Sequence, residues 1–260
     1  MAYSMNFDFT SAPQLEVLQQ LQDGNYTLLA YRGASGPRQI AAGLPTWFSV
    51  PFSEIFGLFD ISYEPLYKVY VFNQAEVAAN TVVQMQAISN EVPLGTALNF
   101  LEDGTFTSAG TSPDGTITLT NQRPAGTNNV TVGLAGQVTL PSGTQYLPFC
   151  AFTVTPLGSV RMSPTENVAM MAAQLNLQSG NVQADASAPG CSFVFNSSAV
   201  DYDLMVTPST LAITNAPNSL PVTALTSGQA LNFLNLNLTI ANSLPVTALT
   251  SGQELASLNS

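Results

Sequence analysis

Histidine is missing from this chain altogether. Its absence removes the commonest general base and the commonest metal ligand, and with them every Ser-His or Cys-His nucleophilic pair. Charge is scarce too: it makes up 8% of the 260 residues, against about 25% in an average soluble protein. Cations are the rarest, with Lys68 alone among lysines beside Arg32, Arg38, Arg123 and Arg161. Five scattered cations under a net charge of −11 cannot build a track for phosphates, so nucleic acid is excluded as a partner. Attraction to an anionic membrane surface is disfavoured on the same ground. No apolar run approaches the roughly 20 residues of a membrane-spanning helix, so a transmembrane protein is not expected. The opening MAYSMNFDFTSAPQ lacks the basic and apolar regions of a signal peptide. The compartment therefore stays open, with an extracellular or cell-surface location favoured.

Cysteine is nearly absent as well. Cys150 and Cys191 each lie beside an apparent strand, PFCAFTV and GCSFVF, and are expected to approach closely enough to bond. A disulfide closing so long a loop would stabilise by about 3–4 kcal/mol; the alternative is two buried thiols. Two cysteines cannot form a structural zinc site, and no Gly-rich phosphate loop precedes a helix. No catalytic residue, cofactor site or metal site is therefore assigned. Paired carboxylates remain, since glycosidases need only two. Glu102-Asp103 reads as an acidic turn, however, and Asp201 with Asp203 as a solvated strand end. An enzyme is the weaker class.

What the chain does contain is β-pattern. One helix is indicated where Ser11-Ala-Pro13 precedes Leu15, Leu18 and Leu21 and Asp23-Gly24 closes the run. Thereafter the period is mostly two, over Tyr26–Tyr31, Thr46–Pro51, Tyr67–Asn73, Thr81–Ser89, Thr116–Thr120, Leu147–Thr155 and Tyr202–Thr207. Leu98–Leu101 and Thr105–Thr107 flank an Asp103-Gly104 hairpin turn. Ser163-Pro-Thr-Glu166 has the form of a helix capping box, so Asn167–Leu175 is read as a second helix, with a strand as its rival. About a dozen short strands predict a mainly β fold. It is expected as one or two antiparallel sandwiches of Greek-key or jelly-roll type, with one or two short helices. Composition divides the chain into an aromatic-rich β domain with the N-terminal helix (1–100), a Thr/Gly/Asn-rich β domain (101–217) and a C-terminal repeat segment (218–260).

Two features carry the functional reading. Nine aromatic residues fall between Trp47 and Phe72, most of them suited to a core. Within them FSEIFGLFD shows apolar side chains around a glycine, and Trp47, Phe56 and Phe59 are the candidates for a glycan- or lipid-contacting rim. Such a module would be pore-forming in its extreme form. The second feature is a repeat: NSLPVTALTSGQ occupies Asn218–Gln229 and recurs, identical, at Asn242–Gln253. Between the copies Leu234, Leu236, Leu238 and Ile240 alternate with Asn and Thr, as in a half-buried strand. No charge interrupts Leu204–Gln253, and uncharged strand edges invite pairing. Leu234, Leu236, Leu238, Leu244 and Val246 are the candidate assembly residues. The leading expectation is a non-enzymatic structural protein that self-assembles as a homo-oligomer into a fibre or sheet. The alternative is a glycan- or lipid-binding module built on residues 47–60.

Overall fold

The computed structural model describes residues 2–236. The elements run β1 (Tyr3–Asp8), α1 (Ala12–Asp23), β2 (Thr27–Ser35), β3 (Leu44–Pro45), β4 (Phe48–Pro51), β5 (Leu58–Tyr63) and β6 (Tyr67–Phe72). They continue as β7 (Ala87–Val92), β8 (Thr96–Phe100), β9 (Phe106–Thr111), β10 (Ile117–Asn121), β11 (Val130–Leu140), β12 (Gly143–Pro148) and β13 (Phe152–Val154). The rest are β14 (Ser159–Ala173), β15 (Val182–Gln183), β16 (Gly190–Val194), β17 (Asp201–Val206), β18 (Ile213–Asn215) and β19 (Thr223–Leu225). Short 3-10 turns cover Phe52–Glu54 and Leu231–Asn235. The protein is mainly β, as its period-two pattern predicts.

Two large sheets carry the fold. The first is ordered β18-β17-β1-β5-β11-β6-β7, with β12 and β13 also paired to β11. The second is ordered β19-β16-β14-β10-β8-β9, with β2 joining β14 to β4. Compositional halves at 1–100 and 101–217 do not correspond to separate sheets. β1, β5 and β6 are bonded beside β11 and β17, and β8 lies beside β10. One cluster of buried side chains accordingly runs from Met5 to Ile213. Hydrogen-bond pairing, not composition, decides which segments share a core.

α1 forms where Ser11 sits extended at its start and a proline occupies its first turn. Its buried face is Gln14, Val17, Leu18 and Leu21, at helical spacing. Leu15, read as part of that face, is 47% exposed. Gln14 takes its place because its amide donates to Val206 O (2.9 Å) and accepts from Val206 N (3.3 Å). The Asp103-Gly104 turn forms as read: Gly104 has φ +84°, and the Asp103 carboxylate accepts from the Thr105 amide and hydroxyl.

The second helix does not form. Asn167–Leu175 lies mostly within β14, the longest strand. Its residues are buried on both faces: Val168, Met170 and Ala172 join the main core, while Ala169, Met171 and Ala173 join a second cluster on the opposite face. Burial on both sides erases the polar alternation that marks a strand, and outweighs the helix preference of Ala and Met. β11 is likewise buried along most of its length, unbroken from Val130 to Leu140. Gly133 keeps the ladder intact there, because a Cβ would lie 1.9 Å from Cys150 O.

The expected disulfide is also absent. Cys150 and Cys191 are both free and fully buried. Cys150 Sγ accepts from the Leu134 amide at 3.3 Å. Burial pushes the Cys150 thiol up to about 12 and the Cys191 thiol well above its ordinary value. Since the thiolate is the reactive form, both should be inert in the folded protein. Alkylation under native conditions is expected to add no mass, and alkylation after denaturation without reductant to add two labels. A native chain that takes up label, or a denatured one that takes none until reduced, would contradict this arrangement.

Candidate functional site

Of the aromatic candidates, the structure leaves one at the surface. Trp47 is fully buried and Phe59 is 2% exposed; both belong to the main core. Trp47 packs edge-on to Tyr63, and Phe59 packs against Phe7. Phe56, in contrast, is 71% exposed and Leu58 66% exposed, on either side of Gly57 at φ +59°. Leu58, two residues from Phe56, lines a groove of about 830 Å³ together with Phe7, Pro13, Leu204, Asp60 and Asp203 among others. Asp201 and Asp203 share the exposed face of β17. Asp201 accepts from the Ser4 hydroxyl and from Asn6 Nδ2 (2.7 Å), and Asp203 accepts from Asn6 Nδ2 (3.1 Å). Phe59→Ser should cost about 3–5 kcal/mol, as for other buried aromatics. Phe56→Ser and Leu58→Ser should fall within about 0.5 kcal/mol of the parent. Chemical denaturation measures both, and equal losses at Phe56 and Phe59 would contradict the burial difference.

The more elaborate site is where the first repeat copy meets the body. β19, within that copy, adds to the edge of the second sheet: Thr223, Ala224 and Leu225 pair with Ser192, Cys191 and Gly190. Ser227-Gly228-Gln229 then turns, with Gly228 at φ +80°. Three backbone bonds fix the turn: Gly228 N to Ala186 O, Ala186 N to Gln229 O and Leu231 N to Ala184 O, each 2.8 Å. Leu225, Leu231 and Leu234 are buried in a groove whose floor is Leu29 and Tyr31 from β2 and Ala169 and Met171 from β14. The expected half-buried strand from Leu234 does not form over 234–236. Leu231–Asn235 is a 3-10 turn, so the buried leucines are three apart and Leu236 is 57% exposed. Leu238, Leu244 and Val246, the remaining assembly candidates, lie outside the described residues, as does the second repeat copy.

The residues read as a capping box hold this segment. Register shifts between Pro164 and Val168 where β14 pairs with β2, which is a β-bulge. The bulge aims Thr165 and Asn167 at the segment and Glu166 at Arg32. Thr165 Oγ1 donates to Leu234 O (2.6 Å), and Asn167 Nδ2 donates to Leu234 O (3.1 Å) and Leu236 O (2.6 Å). From β2, Ala34 N donates to Asn235 Oδ1 (3.1 Å). Gly33 permits the approach, because a Cβ there would lie 2.1 Å from Leu234 O.

Arg32, one residue away on β2, is fully buried. Its guanidinium carbon lies 4.5 Å from the Tyr63 ring centre, 4.9 Å from Phe149, 5.4 Å from Tyr67 and 5.6 Å from Trp47. Nη2 donates to Glu166 Oε2 (3.0 Å) and Tyr67 Oη (2.8 Å), and Nε donates to Thr165 O (3.1 Å). Desolvation opposes the charge on Arg32, yet Tyr67 and Glu166 hold its pKa above the ordinary value. Burial raises Glu166, with Arg32 opposing the rise. This is the single ion pair among the described residues. It fixes the bulge from the inside while Thr165 and Asn167 grip the docked segment from the outside. Nothing in the sequence around Arg32 marks it as buried except the apolar run on either side.

No protein-family model, curated protein or solved structure matches this chain.

Proposed function

We propose that this is a non-enzymatic structural protein that self-assembles, its two large sheets enclosing the core as a β-sandwich. One observation carries the reading. The first repeat copy and the turn that follows it dock as an edge-strand cover, held by backbone pairing and by buried Leu225, Leu231 and Leu234 rather than by charge. A cover of this type is the kind of element that chains exchange. The free edges agree with it. β9, at the other end of the second sheet, reads FTSAGT and is exposed along nearly its whole length. Neither it nor β19 carries a charge, and natural sheet edges normally use charge to prevent pairing.

Sedimentation and negative-stain microscopy across a concentration series test the proposal. Particles larger than the monomer should appear as concentration rises. Deleting Ala241–Ser260 should reduce them strongly while changing the melting temperature by only a few degrees, because the first copy still pairs with β16 and covers the groove. An intact chain that stays monomeric at millimolar concentration overturns the reading. A second reading, a lipid- or glycan-binding module, draws on exposed Phe56 and on Leu58, which lines the groove under β1 and β17. Liposome or glycan-array binding that Phe56→Ser abolishes, in a chain that never assembles, would favour it instead.

A further inference from the structure

The repeat extends further than its twelve identical residues, and the positions that extend it are two buried leucines and one asparagine that bonds the neighbouring backbone. Leu225, Leu231 and Leu234 fill the groove, and 24 residues later stand Leu249, Leu255 and Leu258. Asn235, which accepts from Ala34 N, is matched by Asn259. The copies diverge where the docked segment is exposed or half-buried. Ala230, Asn232, Phe233 and Leu236 correspond to Glu254, Ala256, Ser257 and Ser260. Of the seven positions after the identical stretch, drift spares two leucines and one asparagine, Leu231, Leu234 and Asn235, which tracks the requirements of the groove.

We infer that Asn242–Asn259 is a second docking segment for the same groove, and that the groove it occupies belongs to another copy of this chain. The inference rests on the self-assembly reading and supplies its partner and contact. Each chain has one groove and two segments that satisfy it, so one segment per chain is always in surplus. Within its own chain the second segment gains a seat only by evicting the first. Between chains it takes any groove whose own cover has opened. Its tether is longer by 24 residues, which reach up to about 80 Å extended and about 27 Å as a flexible coil. A folded chain of this length has a radius of gyration of roughly 18 Å, so a neighbour's groove is within range. Since donor segment and acceptor groove are different surfaces, the contact is head-to-tail and adds subunits without closing.

The register supplies the test. Cys191 stands opposite Ala224 in the β16–β19 pair. Antiparallel partners have Cα atoms about 4.5–5.5 Å apart, inside the disulfide range of about 4.4–6.8 Å. The equivalent of Ala224 in the second copy is Ala248. Because Cys191 is shielded once folded, oxidation is carried out while the reduced, denatured chain refolds: Ala224→Cys should then bond to Cys191 within one chain and run as a monomer. Ala248→Cys should give a ladder of covalent oligomers on a non-reducing gel, which Cys191→Ser abolishes. Adding Leu225→Asp and Leu231→Asp, which spoil only the first cover, should raise the laddered fraction several-fold. The otherwise unaltered Ala248→Cys chain keeps the test valid if that combined variant folds poorly. A bond from position 248 that closes within its own chain overturns the inference, as does a ladder that survives Cys191→Ser. Particles that form while the thiol at 248 stays free also overturn it, and leave self-assembly through other edges standing. Neither particles nor ladder would remove both readings.

Discussion

Arg32→Ala should lower folding stability by about 3–5 kcal/mol, the cost of removing one partner from a buried ion pair. The substitution takes away more than charge. It opens a void between Tyr63, Tyr67, Phe149 and Trp47, whose ring centres all lie within 5.6 Å of the guanidinium. It also frees Thr165 O, and with it the bulge that grips the docked segment. The pH dependence has a definite sign. Burial raises Glu166 above its ordinary pKa and Arg32 opposes that rise, so without Arg32 the folded-state pKa climbs further. A carboxyl with a raised folded pKa binds its proton more tightly in the folded state than in the unfolded one. Its contribution to stability is therefore present in acid and lost as pH rises through the window between the two values. The deficit of Arg32→Ala should thus widen from acidic to neutral pH. Replacing both partners with apolar residues, as in Arg32→Met with Glu166→Leu, should recover much of the loss. Urea midpoints at two pH values measure all of this; a loss below about 1 kcal/mol would show that the cage contributes little.

Gly33→Val is the second large effect, and it is directed at the cover. A Cβ at position 33 would lie 2.1 Å from Leu234 O and 2.3 Å from Leu234 C. Both are backbone atoms, so no rotamer change relieves the clash and the segment must move. Release would expose Leu231 and Leu234, each worth about 1.5–3 kcal/mol when fully buried, and would uncover Leu29, Tyr31 and Met171. The main core, on the other face of β2 and β14, should stay folded. The expected readout is native-state proteolysis between Leu231 and Leu236, with new binding of a hydrophobic dye. Since both segments need the same groove, this variant should also stop exchange in either direction. Unchanged proteolysis and an unchanged melting temperature would contradict the described docking.

Much of the fold is legible from local signals. Pro13 and the Asp103-Gly104 turn impose backbone geometry whatever surrounds them, and period-two alternation survives wherever one face of a strand is solvated. The reading failed where burial is two-sided. Between Val168 and Ala173 both faces are apolar, so no pattern remains to separate strand from helix. Ser163–Glu166 imitates a cap because the residues that would cap a helix serve long-range partners here: Thr165 donates to Leu234 O and Glu166 accepts from Arg32. At the docking site, Leu234 and Leu236 suggested a strand, while the leucines that matter, Leu231 and Leu234, are spaced for a 3-10 turn. Arg32 gave no signal: its counter-charge lies 134 residues away at Glu166. The aromatic cluster was legible as a core but not in its details, since nothing local distinguishes buried Phe59 from exposed Phe56.

β1 runs parallel to β17, and the pair joins Ser4 to Asp201, 197 residues apart. On a ribosome the first strand thus emerges long before its neighbour exists. Its other neighbour, β5, arrives early, but one side of β1 stays open until β17 has been made. So large a loop must close before the pairing returns any stabilisation, which makes folding slow and largely post-translational. A nascent chain would meanwhile display the alternating Tyr3–Asp8 edge, which carries a single charge at Asp8. Crowded polysomes are where such an edge finds the wrong partner. Yield in cells should therefore depend on translation rate and on chaperones more than on the stability of the finished fold.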